Sequence, residues 1–143
     1  LLVPDSSILI AYLRFGKYRQ CILGRLKGGT LLVPGVVLCE LYAGATSRED
    51  RNDLEVFRRA LGSRVLGIAD EDWVLVGRCL SYYSVRWGRI RPRDHLVDAT
   101  VAVVAVQAGA ALTSEDVHQV QRWRWVLARL GKRLTIAQLS AKA

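Results

Sequence analysis

The chain has 143 residues, 51% hydrophobic and 24% charged, a size and balance that favour one domain spanning residues 1–143 with a real core and exclude a disordered or fibrous chain. Its formal net charge is +8, from 21 Lys and Arg against 13 Asp and Glu. The longest strictly apolar runs, Ile8–Leu13 and Val101–Val106, are far shorter than the roughly 18 residues a membrane helix needs, so no membrane association is expected.

The elements alternate along the chain. "LLVP" reads as a short strand and "SSILIAYLRFG" as a helix opened by Asp5 or Ser6 and stopped at Gly16. "KYRQCILGRLKGG" predicts a second helix, "TLLVPG" an apolar strand, and "VVLCELYAGA" a third helix. "SREDRNDLEVFRRALG" is amphipathic, with Leu54, Phe57 and Leu61 on one side. "SRVLGIA" is strand-like, and "DEDWVLVGRCLSYYSVRWG" predicts a helix with three acids at its N-terminus, suiting the macrodipole. After "RIRPR" come the helix "DHLVDATVAVVAVQ", the strand "AALTS", the helix "EDVHQVQRWRWVLARLG" and a final strand-like "KRLTIAQL". Strands alternating with helices predict an α/β domain with a mainly parallel sheet, in which ligands sit at the carboxyl ends of the strands. Asp5 follows the first strand, and Glu115 and Asp116 follow "AALTS", so all three are carried to one edge.

Cys21, Cys39 and Cys79 are odd in number and set among apolar neighbours, a pattern of reduced core thiols in a cytoplasmic protein rather than of a disulfide framework or zinc site. The start "LLVPDSS" has no basic leader or small-residue cleavage site, so no secretory signal is expected. With no Met anywhere, the initiator is expected to lie outside this sequence.

Seven of the thirteen acids fall in "REDRNDLE" and "DED", solvated helix faces or helix starts. The others are less ordinary. Asp5 and Asp116 each suit a helix cap. Glu40 shares a helical face with Val36, Val37, Ala43 and Gly44. Asp98 heads a stretch apolar on every side, which predicts burial, and a buried carboxylate is costly unless something positive compensates it. Asp94, four residues earlier, can cap that helix or balance its dipole. No Lys or Arg lies between Asp98 and Arg122, so a hard divalent cation such as Mg²⁺ is the natural counter-charge. Two His without His–Cys spacing argue against zinc. Carboxylate-held Mg²⁺ beside a basic surface is the chemistry of phosphodiester cleavage.

These segments resemble the PIN-domain ribonucleases, especially the VapC-type toxins of bacterial toxin–antitoxin pairs. "LLVPDSSILIAYL" is similar to the family's opening strand, signature Asp and helix, with Ser7 where an Asn is frequent. "VPGVVLCELYAGA" matches the segment bearing the family's Glu, here Glu40, and "LVDATVAVVAVQAGAALTSED" the region bearing its third and fourth acids. The separation from Asp98 to Gly109 fits the third acid, and Asp94 lies too far upstream. For the fourth, counting from Gly109 favours Asp116, whereas counting from Thr113 favours Glu115.

The resemblance implies a three-layer α/β fold with a central parallel sheet. It also implies Mg²⁺- or Mn²⁺-dependent endonucleolytic cleavage of RNA, a homodimer, and inhibition by a small cognate antitoxin protein. Asp5, Glu40 and Asp98 would hold metal and Asp116 would assist, with Asp94 and Glu115 as accessory candidates. Thr113 and Ser114 suit water or phosphate binding.

Of the 21 cationic residues 17 are Arg, whose planar fork favours phosphate. Arg86, Arg89, Arg91 and Arg93 just before the Asp98 helix form a candidate RNA-phosphate rim. "RWRW" reads either as exposed base-stacking Trp or as core Trp covered by Arg stems. Two competing readings stand: a catalytically silent PIN-like RNA-binding or scaffold module, and a Mg²⁺-dependent phosphatase or receiver-like domain. The phosphatase would want a second acid at position 7, where Ser7 stands.

Overall fold

The computed structural model describes residues 1–141, the side chain of residue 92 excepted. Seven helices, α1 (Ser6–Phe15), α2 (Arg19–Gly28), α3 (Gly35–Gly44), α4 (Arg48–Leu61), α5 (Asp72–Trp87), α6 (Pro92–Gln107) and α7 (Val117–Arg129), surround short strands. β1 (Leu2–Pro4), β4 (Ala111–Thr113) and β5 (Thr135–Ile136) form a parallel sheet in the order β1-β4-β5, and β2 (Val33–Pro34) pairs in parallel with β3 (Val65–Leu66). A parallel bridge between Leu2 and Leu31 joins the two ladders. The result is the α/β domain with a parallel sheet that the alternation predicts, in the three-layer arrangement that the resemblance implies.

The strands are shorter than their apolar segments suggest. "TLLVPG" yields only Val33–Pro34 as strand, because Pro34 offers no N–H to a ladder and Gly35 already begins α3. The "DED" acids also shift: Asp72 alone lies in the first turn of α5, with Asp70 and Glu71 in the turn before it. Among the cysteines only Cys79 is buried; Cys21 is half-buried and Cys39 exposed, so Cys39 is not the core thiol its apolar neighbours predict. Its helix, α3, buries Val37 and Leu41, and Cys39 falls on the other side.

The core matches the helical periodicity elsewhere. Leu54, Phe57 and Leu61 of α4 are buried, and Ser47 caps that helix by accepting from the Asp50 amide at 3.0 Å. Leu2 and Val3 of β1 are fully enclosed, as expected for a parallel strand covered on both faces. Ala99 and the run Val101–Ala105 of α6 are buried with them, and Thr100 satisfies its hydroxyl on the Leu96 carbonyl at 2.7 Å.

Candidate active site

The site is assembled where β1 and β4 end. Pro4 is in register with Thr113, and the Asp5 amide donates to the Thr113 carbonyl at 3.0 Å. This backbone bond brings Asp5 and the segment Ser114–Asp116 to the same sheet edge. Side chains then knit the two loops together. The Glu115 amide donates to Ser7 Oγ at 3.0 Å, and the Ser7 and Ser114 hydroxyl oxygens lie 3.4 Å apart.

Asp5 and Asp116 both act as helix caps, and capping leaves each of them half free. Asp5 Oδ1 accepts from Ser7 Oγ at 2.5 Å and from the Ile8 amide at 3.3 Å. Asp116 Oδ1 accepts from the Gln119 amide at 3.1 Å. Among the described residues the second oxygen of each carboxylate has no protein donor. A cap therefore does not compete with a further role, since one carboxylate can accept on both oxygens.

Asp5, Asp98 and Asp116 line one cavity of about 190 Å³, walled by Val101, Leu112, Val120 and Trp123. Asp98 is not buried as its apolar helix predicts. It remains open to solvent at the N-terminal end of the buried stretch of α6, where the helix passes the sheet edge. Its carboxyl is still pushed above the ordinary aspartate value, first by partial loss of hydration against the apolar wall, then by the negative charge of Asp5, with Glu40 and Asp116 adding to it and His95 opposing. No Lys or Arg among the described residues forms an ion pair with Asp5, Glu40, Asp98 or Asp116.

The remaining candidates are placed differently. Glu40 lies on the exposed side of α3 and lines an adjacent groove between α1, α3 and α4, close enough to act on Asp98 only through its field. Glu115 is held away from the cavity by Tyr18, whose hydroxyl donates to it at 2.9 Å, and by Lys17 at 3.8 Å. Tyr18 takes a left-handed conformation (φ 60°), unusual for a bulky residue, at the start of α2. Asp94 is exposed in the first turn of α6 and does not line the cavity. Arg86, Arg89, Arg91 and Arg93 are all exposed.

Other residues gathered here carry weaker sequence signals. Gln119 lines the cavity; its spacing from Asp116 is that of a capping box, the signal that could have placed it. Gln119 Nε2 lies 3.5 Å from His95 Nδ1, and His95 stacks on Tyr83 at 5.0 Å between centroids. Trp123 of the "RWRW" motif is core, with 1% of its surface exposed, while Trp125 is half-buried.

A family model of the PIN domain matches residues 2–122. The chain belongs to the PIN-domain family. No relative among the curated proteins matches it in sequence. Among solved structures, this PIN domain is similar to a chain of the DNA-bound VapBC of Salmonella typhimurium, with 16% identity, 96% of each chain covered and a TM-score of 0.72. VapBC2 from Rickettsia felis, bound to a DNA fragment from its promoter, matches with 15% identity, 97% of this chain and 98% of that one, and a TM-score of 0.69. VapBC-1 from nontypeable Haemophilus influenzae matches with 16% identity, 96% of both chains and a TM-score of 0.68. At these identities the likeness is one of fold.

The carboxylates of this PIN domain suit a hard cation: oxygen ligands only, mutually repelling, with no Lys or Arg among the described residues pairing with them. The carboxylates do not form a closed cage. No group of three or more His, Cys, Asp or Glu is arranged to enclose an ion among the described residues. The arrangement fits an open site, in which a small hard cation keeps several of its waters.

Proposed function

We propose that this PIN domain, taken as a single unit over residues 1–143, is a metal-dependent endoribonuclease and the toxin of a VapBC-type pair. The observation that carries this reading is the cavity itself. Three carboxylates from three separate chain segments share it, the nearby Glu40 adds its field, and among the described residues Asp98 has no Lys or Arg partner, His95 alone opposing the repulsion.

Asp5 and Asp98 would hold Mg²⁺ or Mn²⁺, with Asp116 assisting from the same cavity and Glu40, in the adjacent groove, contributing only its negative field. When bound there, such a cation would supply a water of lowered pKa and stabilise charge on the phosphate oxygens. Asp5 and Asp116 keep their positions because one oxygen of each is tied to a helix N-terminus. Ser114 and Gln119 offer hydrogen bonds to the attacking water or the phosphate, while Ser7 gives its one proton to Asp5 and so helps fix that carboxylate. Exposed Arg86, Arg89, Arg91 and Arg93 would bind flanking RNA phosphates. The likeness to chains of VapBC complexes supports a small cognate antitoxin as restraint, and a cytoplasmic homodimer completes the proposal.

One observation favours a second reading, a catalytically silent RNA-binding or scaffold module: the carboxylates stop short of a closed ligand cage. Sequencing RNA 5′ and 3′ ends after induced expression separates the two. The enzyme gives discrete new ends with the wild type and none with Asp98→Asn; a silent module gives the same ends with both.

A further inference from the structure

Outside the carboxylate cavity, the strongest unused feature is a layer of arginines on aromatic rings along α5 and α7. Tyr83 lies 4.8 Å, centroid to centroid, from Trp123, which walls the cavity, and 4.9 Å from Trp87. Trp87 meets Trp125 edge-on at 5.3 Å. The rings therefore run from the cavity wall to the surface.

Three guanidinium groups lie on them. Arg122 donates to the Tyr83 hydroxyl at 2.9 Å and sits 5.1 Å from the Trp87 ring centre. Arg86 lies 5.5 Å from the Trp87 centre and 5.8 Å from that of Trp125, and Arg129 lies 4.8 Å from the Trp125 centre. All three arginines are exposed, and none makes an ion pair among the described residues.

Packing alone does not call for this arrangement. Apolar cover would shield the two half-buried indoles without gathering three like charges. Ring quadrupoles attract the guanidinium groups and restrain them, so part of their ordering cost is met before a ligand arrives. What remains unpaired is a set of N–H forks, whose best partner is a phosphate oxygen. The geometry points to this layer as the track that holds the phosphates of a single-stranded RNA entering the cavity from the α5–α7 side. The inference rests on the RNA-nuclease reading and adds Arg122, Arg129 and the two indoles to its substrate contacts.

The test is a titration of fluorescein-labelled single-stranded RNA in EDTA at several salt concentrations, with folding of each variant checked by circular dichroism. Each phosphate contact on a single strand contributes about 0.7 to the slope of log affinity against log salt, so Arg122→Gln/Arg129→Gln lowers it by about 1.4. At 0.1 M salt this corresponds to binding roughly 25-fold weaker. Trp125→Leu keeps every charge, so it weakens binding while the slope stays. Arg59→Gln, on α4 and outside the layer, matches the wild type.

Unchanged slope and affinity in the double arginine variant overturn the assignment, including the case in which that variant loses an acidic protein partner instead. An equal loss per residue in Arg59→Gln also overturns it, since diffuse charge would then account for binding. Should Trp125→Leu fail to fold, the arginine pair decides alone. Because cleavage is suppressed in EDTA, a failure of the nuclease reading leaves the slope measurement standing, and the two outcomes are separable.

Discussion

Asp98→Asn should stabilise the metal-free protein at neutral pH and destabilise it, relative to wild type, when Mg²⁺ is present. In the apo state Asp98 is disfavoured by lost hydration and by the charges of Asp5, Glu40 and Asp116, with only His95 opposing. Asp98 is solvent-reachable, so each charge pair is screened to a few tenths of a kcal/mol, and the three repulsions together amount to about 1 kcal/mol. For a chain of this length an unfolding entropy near 0.3 kcal/mol/K converts that to a rise in Tm of about 3 °C in EDTA. The pH dependence has a definite sign. The Asp98 carboxyl titrates above the ordinary 3.8, so the folded state keeps a proton that the unfolded chain has released. The wild-type deficit is therefore absent in acid below that value and grows as pH rises from it through the raised folded value.

Mg²⁺ at about 100 times its dissociation constant adds about 2.7 kcal/mol to the wild type, near 9 °C, and much less to the variant. Thermal unfolding of both proteins in EDTA and in Mg²⁺ should show the order of stability invert. A variant less stable than wild type in EDTA, or an equal Mg²⁺ gain in both, refutes the reasoning.

Further outcomes follow from individual contacts. Asp116→Asn should lower RNA cleavage at least tenfold, whereas Glu115→Gln, whose carboxylate is occupied by Tyr18 and Lys17, should leave the rate within about twofold; gel assays of labelled RNA read both. Ser47→Ala removes the α4 cap and should cost about 1 kcal/mol in urea unfolding without changing cleavage. Burial pushes the Cys79 thiol up to about 12, so a thiol reagent at pH 8 should label Cys39 in the native protein and Cys79 only after unfolding.

The fold was largely legible because its punctuation is local. Gly16 and Gly29 end α1 and α2 in left-handed conformation, Ser47 starts α4, and Leu54, Phe57 and Leu61 keep a clean helical period. The site was legible where strand ends decide position, as for Asp5 and Asp116. It was less so where tertiary packing sets a helix's rotation and height. Periodicity made the Asp98 helix apolar on every side, yet Asp98 sits where α6 clears the sheet edge and meets a cavity. Likewise the packing of α3 turns Glu40 toward the neighbouring groove and Cys39 to solvent. His95 and the stacked layer of α5 and α7 depend on two helices meeting, which neither segment reveals alone.

The most direct measurement is anomalous diffraction from crystals soaked in Mn²⁺. A peak inside the 190 Å³ cavity, with oxygens of Asp5 and Asp98 at roughly the 2.0–2.2 Å of small hard cations, is the result expected. A cavity without a peak at saturating Mn²⁺, or a lone peak bound elsewhere, would contradict a nuclease built on these carboxylates.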